Sequence, residues 1–542
     1  MRKSPDPLHR RAGIALPLSG IRSEKDLGCG DLGSAVPFLD WMHRAGLSVL
    51  QLLPLNDLAP GDSCPYSSIS AFALDPIYAD LLRVPEIEDS PALRAALLRQ
   101  TKTSSTRKLR GSRRVRFSKV RRLKMRWLKR AYTRLKSGGA STRRAKEFSS
   151  FRQRHRAWLE DYTLYRAIQN ELGWVRWLRW PAGLRERDPK VLAAWRRRLS
   201  DGVGFYAYVQ WALHEQWERL RRQAGLRGIL ISGDIPFGLS TGSADVWARR
   251  GDFDLSASMG APPDRYSITG QAWGLPAYRW NRMESGGHQW WRRRIRRAGV
   301  FFDIFRIDHA VGFFRTWRTA AKGRKASFDI RGAAAQRARG RRFFRMTVQA
   351  GRPARPLAED LGVIPPFVRK VLNELRIPGY KITRWERAGK GFRNPRRYPP
   401  LSVATTGNHD TSTIAAWWGE ISRSERRRYW NSVVGLRGPA PRYSKKVHER
   451  LLGSAFAARS ALAMLPVQDL FGTRERINVP GTVSQRNWTY RMPWEAESLA
   501  AGKSMSETTW MIRRLCALSG RLPTEHGGGT SSRYRSVGRL SS

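Results

Sequence analysis

The sequence predicts an α/β fold, a (β/α)8 barrel carrying large, mainly helical insertions. Three observations predict it. Eight short apolar runs have the near-continuous hydrophobicity of strands buried on both faces. Helical patterns lie between some of them. Many of the runs end in a polar or charged residue, as barrel strands do at the mouth where reactive groups stand. An open doubly wound sheet is the competing architecture, and it is disfavoured because no Gly-rich phosphate turn follows the first run.

In chain order the runs are Gly13–Leu18, Ser48–Leu55, Gly228–Asp234, Phe301–Asp308, Arg355–Glu359, Tyr380–Trp385, Leu401–Thr406 and Leu465–Leu470. The first follows a basic N-terminus, is short and holds Pro17, so it reads as a buried strand and not as a signal peptide. Ser34 is placed to cap a helix whose stripe is Ala35, Leu39 and Met42, bounded by Gly46. Pro365 and Pro366 open another with Phe367, Val368, Val371, Leu372 and Leu375, and Pro378-Gly379 stops it. About 170 residues separate the second and third runs. They contain a basic segment, 101–150, and a Trp-rich helical stretch, Phe151–Arg222, and read as a helical insertion over about 60–222. A second insertion, about 237–290, is expected as a loop at the active site. The barrel is assigned residues 1–520. Residues 521–542, with Gly527-Gly-Gly-Thr-Ser-Ser and few apolar side chains, read as a disordered tail.

The chain has 542 residues, 41% of them hydrophobic, enough for a sizeable core. No window reaches the ~18–20 uninterrupted apolar residues of a membrane span. Cys29, Cys64 and Cys516 show no CxxC spacing, so neither a disulfide framework nor a zinc cluster is expected, and the default compartment is the cytoplasm. Lys plus Arg is 100 against 44 Asp plus Glu, a net charge of +56. Segment 101–150 holds nineteen Lys/Arg against Glu147 alone. Such a charge attracts phosphate polymers at low salt. Its diffuse spread along the chain favours the plainer reading, arginine placed wherever a surface tolerates it.

The acids at the run ends are Asp234, Asp308, Glu359 and, just past the seventh run, Asp410. Side chains alternate along a strand, so Arg306 and Asp308 share a face. An arginine beside a carboxylate favours its ionised form, which is what a nucleophile needs. Leu357 and Glu359 share a face, which selects Glu359 over Asp360 as the inward acid. A glutamate in a partly apolar site has a raised pKa and can hold a proton for a leaving group. The bland alternative is a structural Arg306–Asp308 ion pair and a helix-capping Glu359. Two carboxyls in these roles fit glycoside chemistry, one attacking the anomeric carbon and the other protonating the leaving oxygen. Asp410 can hold sugar hydroxyls and steady the charge that develops on the ring, and His409 can donate to a hydroxyl. The 22 tryptophans suit carbohydrate, although most tryptophans serve packing.

An ordered set of motifs extends this reading. It comprises Leu16-Pro-Leu18, Gln51-Leu-Leu-Pro-Leu-Asn56, Ser63-Cys-Pro-Tyr-Ser67, Ser70-Ala-Phe72, Gly233-Asp-Ile-Pro236, Ser243-Ala-Asp-Val-Trp247, Gly270-Gln-Ala-Trp-Gly274, Phe305-Arg-Ile-Asp-His309, Ala358-Glu-Asp-Leu-Gly362, Pro378-Gly-Tyr-Lys381, His409-Asp410 and Asn478-Val-Pro-Gly481. From about Gly13 to Pro493 the chain resembles the 4-alpha-glucanotransferases (amylomaltase, or disproportionating enzyme) of the alpha-amylase clan of glycoside hydrolases. The resemblance implies Asp308 as nucleophile, Glu359 as acid/base, Asp410 as a third carboxylate at the transition state and Arg306 as the nucleophile's partner. It implies Tyr66 stacked on the sugar beside the cleaved bond. Asp245, His409 and Asn478 match donor-side polar contacts and Trp273 an acceptor-side platform. His309 is either a sugar contact or a histidine standing behind the contacting groups. Substrates would be alpha-1,4-glucans and maltooligosaccharides, with glucose as an acceptor and no metal or organic cofactor.

There are departures from the family pattern. Gly242 stands where an Asp is usual, and Arg265-Tyr266 follows Pro262-Pro-Asp where two aromatics are usual. His409-Asp-Thr-Ser-Thr413 lacks a usual acid. They bear on acceptor-side contacts and chain-length preference and remove no catalytic carboxylate. The expected reaction is transfer of an alpha-1,4-glucan segment to a 4-hydroxyl through a covalent glycosyl-enzyme. The alternatives are an alpha-glucan hydrolase of the same clan and a catalytically idle basic protein that binds nucleic acid. The last rests on segment 101–150 and the +56 charge, and no nucleic-acid module accompanies them.

Overall fold

The structure is a computed structural model, and it describes residues 8–263, 269–320, 326–500 and 503–523. Eight strands close into a parallel barrel. They are β1 (Arg11–Leu16), β2 (Val49–Leu52), β3 (Leu230–Ile235), β4 (Ile304–Ile307), β5 (Arg355–Ala358), β6 (Gly379–Ile382), β7 (Ser402–Thr405) and β8 (Leu462–Pro466). Each pairs with its chain neighbour, and Arg11 beside Leu462 closes the ring between β1 and β8. The expected closed barrel therefore holds, and the open sheet does not.

The barrel interior is a packed core, filled by Val49, Ile304, Leu357, Tyr380, Val403 and Met464 from six different strands. It is crowded enough that a Cβ on Gly13 would lie 2.4 Å from the Val49 carbonyl and 2.5 Å from Met464 Sδ. Only glycine fits β1 at that level. The two-residue period then decides which side chain reaches the mouth. Ile304 inside puts Arg306 inside, Leu357 puts Glu359 inside, and Val49 puts Gln51 inside.

Helices cover the outside: α1 (Ala35–Arg44), α2 (Ser200–Leu226), α3 (Gln289–Phe301), α4 (Ala333–Ala350), α5 (Pro366–Glu374), α6 (Lys445–Phe456) and α7 (Lys503–Leu518). Helix α1 buries Ala35, Phe38, Leu39, Trp41 and Met42, the stripe of a 3.6-residue period. Ser34 stands at its N-cap, yet its hydroxyl donates to Asp31 Oδ1 instead of capping the helix. Pro365 and Pro366 open α5 as expected. The strand–helix alternation breaks once. The β6–β7 crossover has only a short hairpin, Arg387–Ala388 with Gly391–Phe392, and a 3-10 turn at Pro395–Arg397.

Three expectations need correction. The eighth strand runs over Leu462–Pro466, and Val467–Leu470 is helical because Pro466 ends the ladder and opens a turn. The region 237–290 is more than a loop. Its strands Phe253–Ala261 and Gln271–Tyr278 form an antiparallel sheet with Trp317–Ala320 and Ser327–Phe328 from the connection after β4. Arg265 and Tyr266 lie outside the described residues. The fold also extends past residue 520: the Arg521 side chain is buried and donates to five backbone carbonyls, those of Phe456, Arg11, Ala461, Ala458 and Ser460. The rest of the expected tail, from 524, lies outside the described residues. Segment 101–150 forms helices of the insertion. Within it, helix Phe117–Ser137 turns Val120, Leu123, Trp127, Leu128 and Leu135 inward along with two cations, Arg121 and Lys124.

Candidate active site

The mouth of the barrel gathers the charged strand ends. Arg306, at the end of β4, is buried and acts as the hub. Its Nη1 reaches both oxygens of Asp234, the acid at the end of β3, at 2.8 and 2.7 Å. Its Nη2 lies 2.9 Å from Asp308 Oδ1 and 3.9 Å from Glu359 Oε2. One guanidinium therefore binds three carboxylates from three neighbouring strands. Two of them share one nitrogen, which holds Asp308 and Glu359 side by side, within the compass of one sugar ring.

The backbone fixes these acids further. Glu359 Oε2 accepts from the His309 N–H at 2.8 Å, and Asp308 Oδ2 accepts from the Phe237 N–H at 3.2 Å. His309 adopts the left-handed conformation, φ 46°, directly after Asp308. A non-glycine residue there is strained, and such strain gathers at functional sites. Its imidazole lies 5.3 Å from the Phe237 ring and 4.9 Å edge-on from the Trp273 ring between centroids. Trp273 belongs to the antiparallel sheet beside the mouth.

The opposite wall carries the third acid. Asp410 Oδ1 accepts from Asn478 Nδ2 at 2.6 Å, and Oδ2 lies 3.3 Å from His409 Nε2. Arg476 clamps the same turn by donating to the Asp410 carbonyl. Tyr66 bridges the two walls. Its hydroxyl donates to Asp234 Oδ2 at 2.7 Å, and its ring lies 5.2 Å from His409 and 5.6 Å from Trp488. His409 and Trp488 are 5.4 Å apart, so the three rings form one aromatic wall. A cavity of about 40 Å³ opens between these groups, lined among others by Asp234, Arg306, Glu359, His409, Gln51 and Tyr380.

Electrostatics separates the acids. Burial, reinforced by neighbouring Asp308 and opposed by Arg306, pushes the Glu359 carboxyl up to about 7. Burial would also raise Asp410, but His409 and the Asn478 hydrogen bond outweigh it and hold it at about 2. His409 moves the other way: burial opposes its charge and Asp410 more than restores it, so its pKa is raised. Burial takes His309 down to about 4, so it is neutral near pH 7. A carboxyl raised to about 7 thus shares the mouth with Asp410, which His409 and Asn478 hold ionised, the separation that acid/base catalysis uses.

Of the residues singled out by sequence, the structure brings together Asp308, Glu359, Arg306, Tyr66, His409, Asp410 and Asn478, with His309 and Trp273 along one side. Asp245 stands apart. Its Oδ2 accepts from the Ala71 N–H and its Oδ1 from Trp290 Nε1, both at 2.8 Å, and it lines a second cavity. In this structure it is a buried tie between the chain after Tyr66 and α3. Two further residues complete the site: Asp234, which the sequence placed at a strand end without giving it a role, and Trp488, which sequence reasoning left out. Asp234 had a signal, as a strand-end acid in Gly233-Asp-Ile-Pro236. Trp488 had none, since it stands in a loop ten residues beyond Asn478.

A closed parallel barrel with paired carboxylates at its mouth defines an enzyme framework suited to retaining glycoside chemistry. Residues 16–497 match the glycoside hydrolase family model described as 4-alpha-glucanotransferase, and the chain belongs to that family. It is 32% identical to the 4-alpha-glucanotransferase of Chlamydia muridarum, with 91% of this chain and 93% of the relative covered. It is 33% identical to that of Thermus thermophilus, with 89% and 95% covered. The chloroplastic/amyloplastic 4-alpha-glucanotransferase of Solanum tuberosum is 30% identical, with 95% and 87% covered. The fold matches the amylomaltase of Streptococcus agalactiae, solved in complex with acarbose, at a TM-score of 0.79 and 23% identity, covering 95% of this chain and all of that one.

Proposed function

We propose that this chain transfers a segment of an alpha-1,4-glucan to the 4-hydroxyl of an acceptor glucan or glucose by double displacement. Asp308 attacks the anomeric carbon while the bond to the leaving 4-oxygen breaks, and Glu359 gives that oxygen its proton. The product is a glycosyl ester on Asp308 and an ionised Glu359. An acceptor 4-hydroxyl then attacks the same carbon, Glu359 takes the hydroxyl proton, and the Asp308 carboxylate leaves. Arg306 holds the nucleophile in place through its 2.9 Å contact with Asp308 Oδ1. Asp410, locked by His409 and Asn478, faces the positive charge on the ring at the transition state. The mutually tilted Tyr66, His409 and Trp488 rings offer aromatic contacts for the donor sugar, and Trp273 a platform on the acceptor side. An aromatic wall also limits water, which favours transfer over hydrolysis because one intermediate serves both.

The observation that carries this reading is the shared nitrogen, Arg306 Nη2, at 2.9 Å from Asp308 and 3.9 Å from Glu359. The test is to incubate pure protein with maltotriose and separate the products. A ladder of longer maltooligosaccharides with glucose is expected. Reducing ends that rise without any ladder would mean a hydrolase, and no redistribution at any protein concentration would refute the activity.

A further inference from the structure

A second cavity, of about 110 Å³, lies away from the barrel mouth between the helical insertion and α3. Helix Arg156–Glu171 supplies Ala157, Trp158, Asp161 and Tyr162. Helix Ala244–Ala248 with Arg249 supplies a second wall, and Trp290 and Arg293 of α3 a third. The proposed reaction uses none of its open groups.

Its polar groups are unbalanced. The carboxylates are occupied: Asp245 holds the Ala71 and Trp290 N–H groups, and Asp161 pairs with Arg187 at 2.6 Å. The Tyr162 hydroxyl is spent on Asp57. Arg249 has one carboxylate, Asp252, at 2.7 Å. Arg293 has no ion-pair or hydrogen-bond partner among the described residues, and Trp158 Nε1 is buried without a hydrogen-bond partner. One turn further along the same face of α3, Arg297 also has no ion pair among the described residues. Arg297 gives its Nε to the Phe72 carbonyl and stacks 4.5 Å from the Trp158 ring. Burial and the neighbouring Arg249 lower the Arg293 pKa, and Asp161, Asp245 and Asp252, none of them in an ion pair with Arg293, offset this only in part. Buried charges and N–H groups are costly unless paired.

We propose that this cavity binds a phosphate monoester, its oxygens taken by Arg293, Arg249 and Trp158 Nε1 and its organic part resting between the Trp158 and Trp290 rings. Two guanidiniums and an indole N–H are donors only, so they match a dianion with three acceptor oxygens. The site borders the segment that carries Tyr66, since Ser70 and Phe72 line it. This makes it a place where a small phosphorylated sugar can bind without entering the barrel mouth.

The test is calorimetric titration of the full chain, at fixed ionic strength, with glucose 1-phosphate, inorganic phosphate and glucose. Saturable binding of both phosphates that excess glucose, which the barrel mouth takes as an acceptor, does not displace is expected. Displacement of inorganic phosphate by glucose, or no saturable binding of either phosphate, would overturn the proposal. Arg293→Gln and Arg249→Gln should each weaken glucose 1-phosphate at least tenfold. A variant that removes two exposed basic residues elsewhere, Arg122→Gln with Arg126→Gln, should leave it unchanged. Equal weakening in that control would reduce the effect to the overall positive charge and overturn the site. A measurement on the unaltered protein covers the case in which a variant misfolds. Adding glucose 1-phosphate should slow hydrogen exchange in 157–162 and 289–297, and protection confined to other segments would overturn the proposal.

Discussion

At the residue scale the chemistry depends on Arg306. Its guanidinium is the cation that Asp234, Asp308 and Glu359 share, and it is nearly sealed from water. Replacing it by Met leaves the carboxylates buried without a counter-charge, so Arg306→Met should destabilise the fold by about 3–5 kcal/mol. A thermal melt within a degree of the unaltered protein would refute the hub role. Asp308→Asn removes the nucleophile and should lower kcat/KM for maltotriose by on the order of 10⁴-fold. Appreciable ladder formation by that variant would mean that another group attacks. The Glu359 carboxyl, raised to about 7 by burial, must be protonated to begin the reaction. It carries its proton below that value and loses it above, so kcat/KM should fall about tenfold per pH unit on the alkaline side of about 7. A pH–rate profile that stays level to pH 9 would rule out Glu359 as the acid. None of these couplings except the Arg306–Asp308 pair was legible in the sequence. Strand alternation put Arg306 and Asp308 on one face, but the contact of Arg306 with Asp234 crosses 72 residues and needs the β3–β4 register, Asp234 beside Arg306.

At the element scale, helix Phe117–Ser137 shows what became of the basic segment. Lys124 is fully buried and donates to Asp31 Oδ2 and to the Ile77 and Ala79 carbonyls, while Arg121 pairs with Asp75 and Asp57. These cations tie the insertion to the loops that follow β1 and β2. Lys124→Met should therefore cost about 3–5 kcal/mol, because Asp31 and two carbonyls lose their donor. Arg143→Met, which breaks an exposed i,i+4 pair with Glu147, should cost under about 1 kcal/mol. Equal effects in urea unfolding would contradict the distinction. The charge count alone could not separate these two kinds of basic residue. Helical periodicity gave the insertion its helices, but which cations turn inward depends on Asp31, Asp57 and Asp75, far off in sequence. The antiparallel sheet of Phe253–Ala261, Gln271–Tyr278, Trp317–Ala320 and Ser327–Phe328 went unread for a similar reason. Its partners come from two separate connections, and their apolar runs are short and interrupted by Gly and Ser.

At the scale of the whole molecule, a net charge of +56 opposes compaction, because like charges on the surface repel. Raising salt from low ionic strength to roughly 0.5 M shortens the screening length to a few ångströms. The melting temperature should therefore rise with sodium chloride, and a steady fall would show that specific ion pairs outweigh the repulsion. The described residues contain no helix long and apolar enough to cross a membrane.

The sequence by itself determined the eight apolar runs, the inward parity of Arg306, Asp308 and Glu359, and the ordered motifs of the 4-alpha-glucanotransferase family. These are local properties, set by a two-residue period and by residues adjacent in the chain. Only the tertiary structure decided that Asp234 completes the Arg306 hub, that Trp488 joins the aromatic wall, that Asp245 turns away from the mouth and that Arg521 belongs to the fold. Each of those follows from the closed fold, which sets strand ends, loops and helix faces against partners tens to hundreds of residues away, where no periodicity reaches.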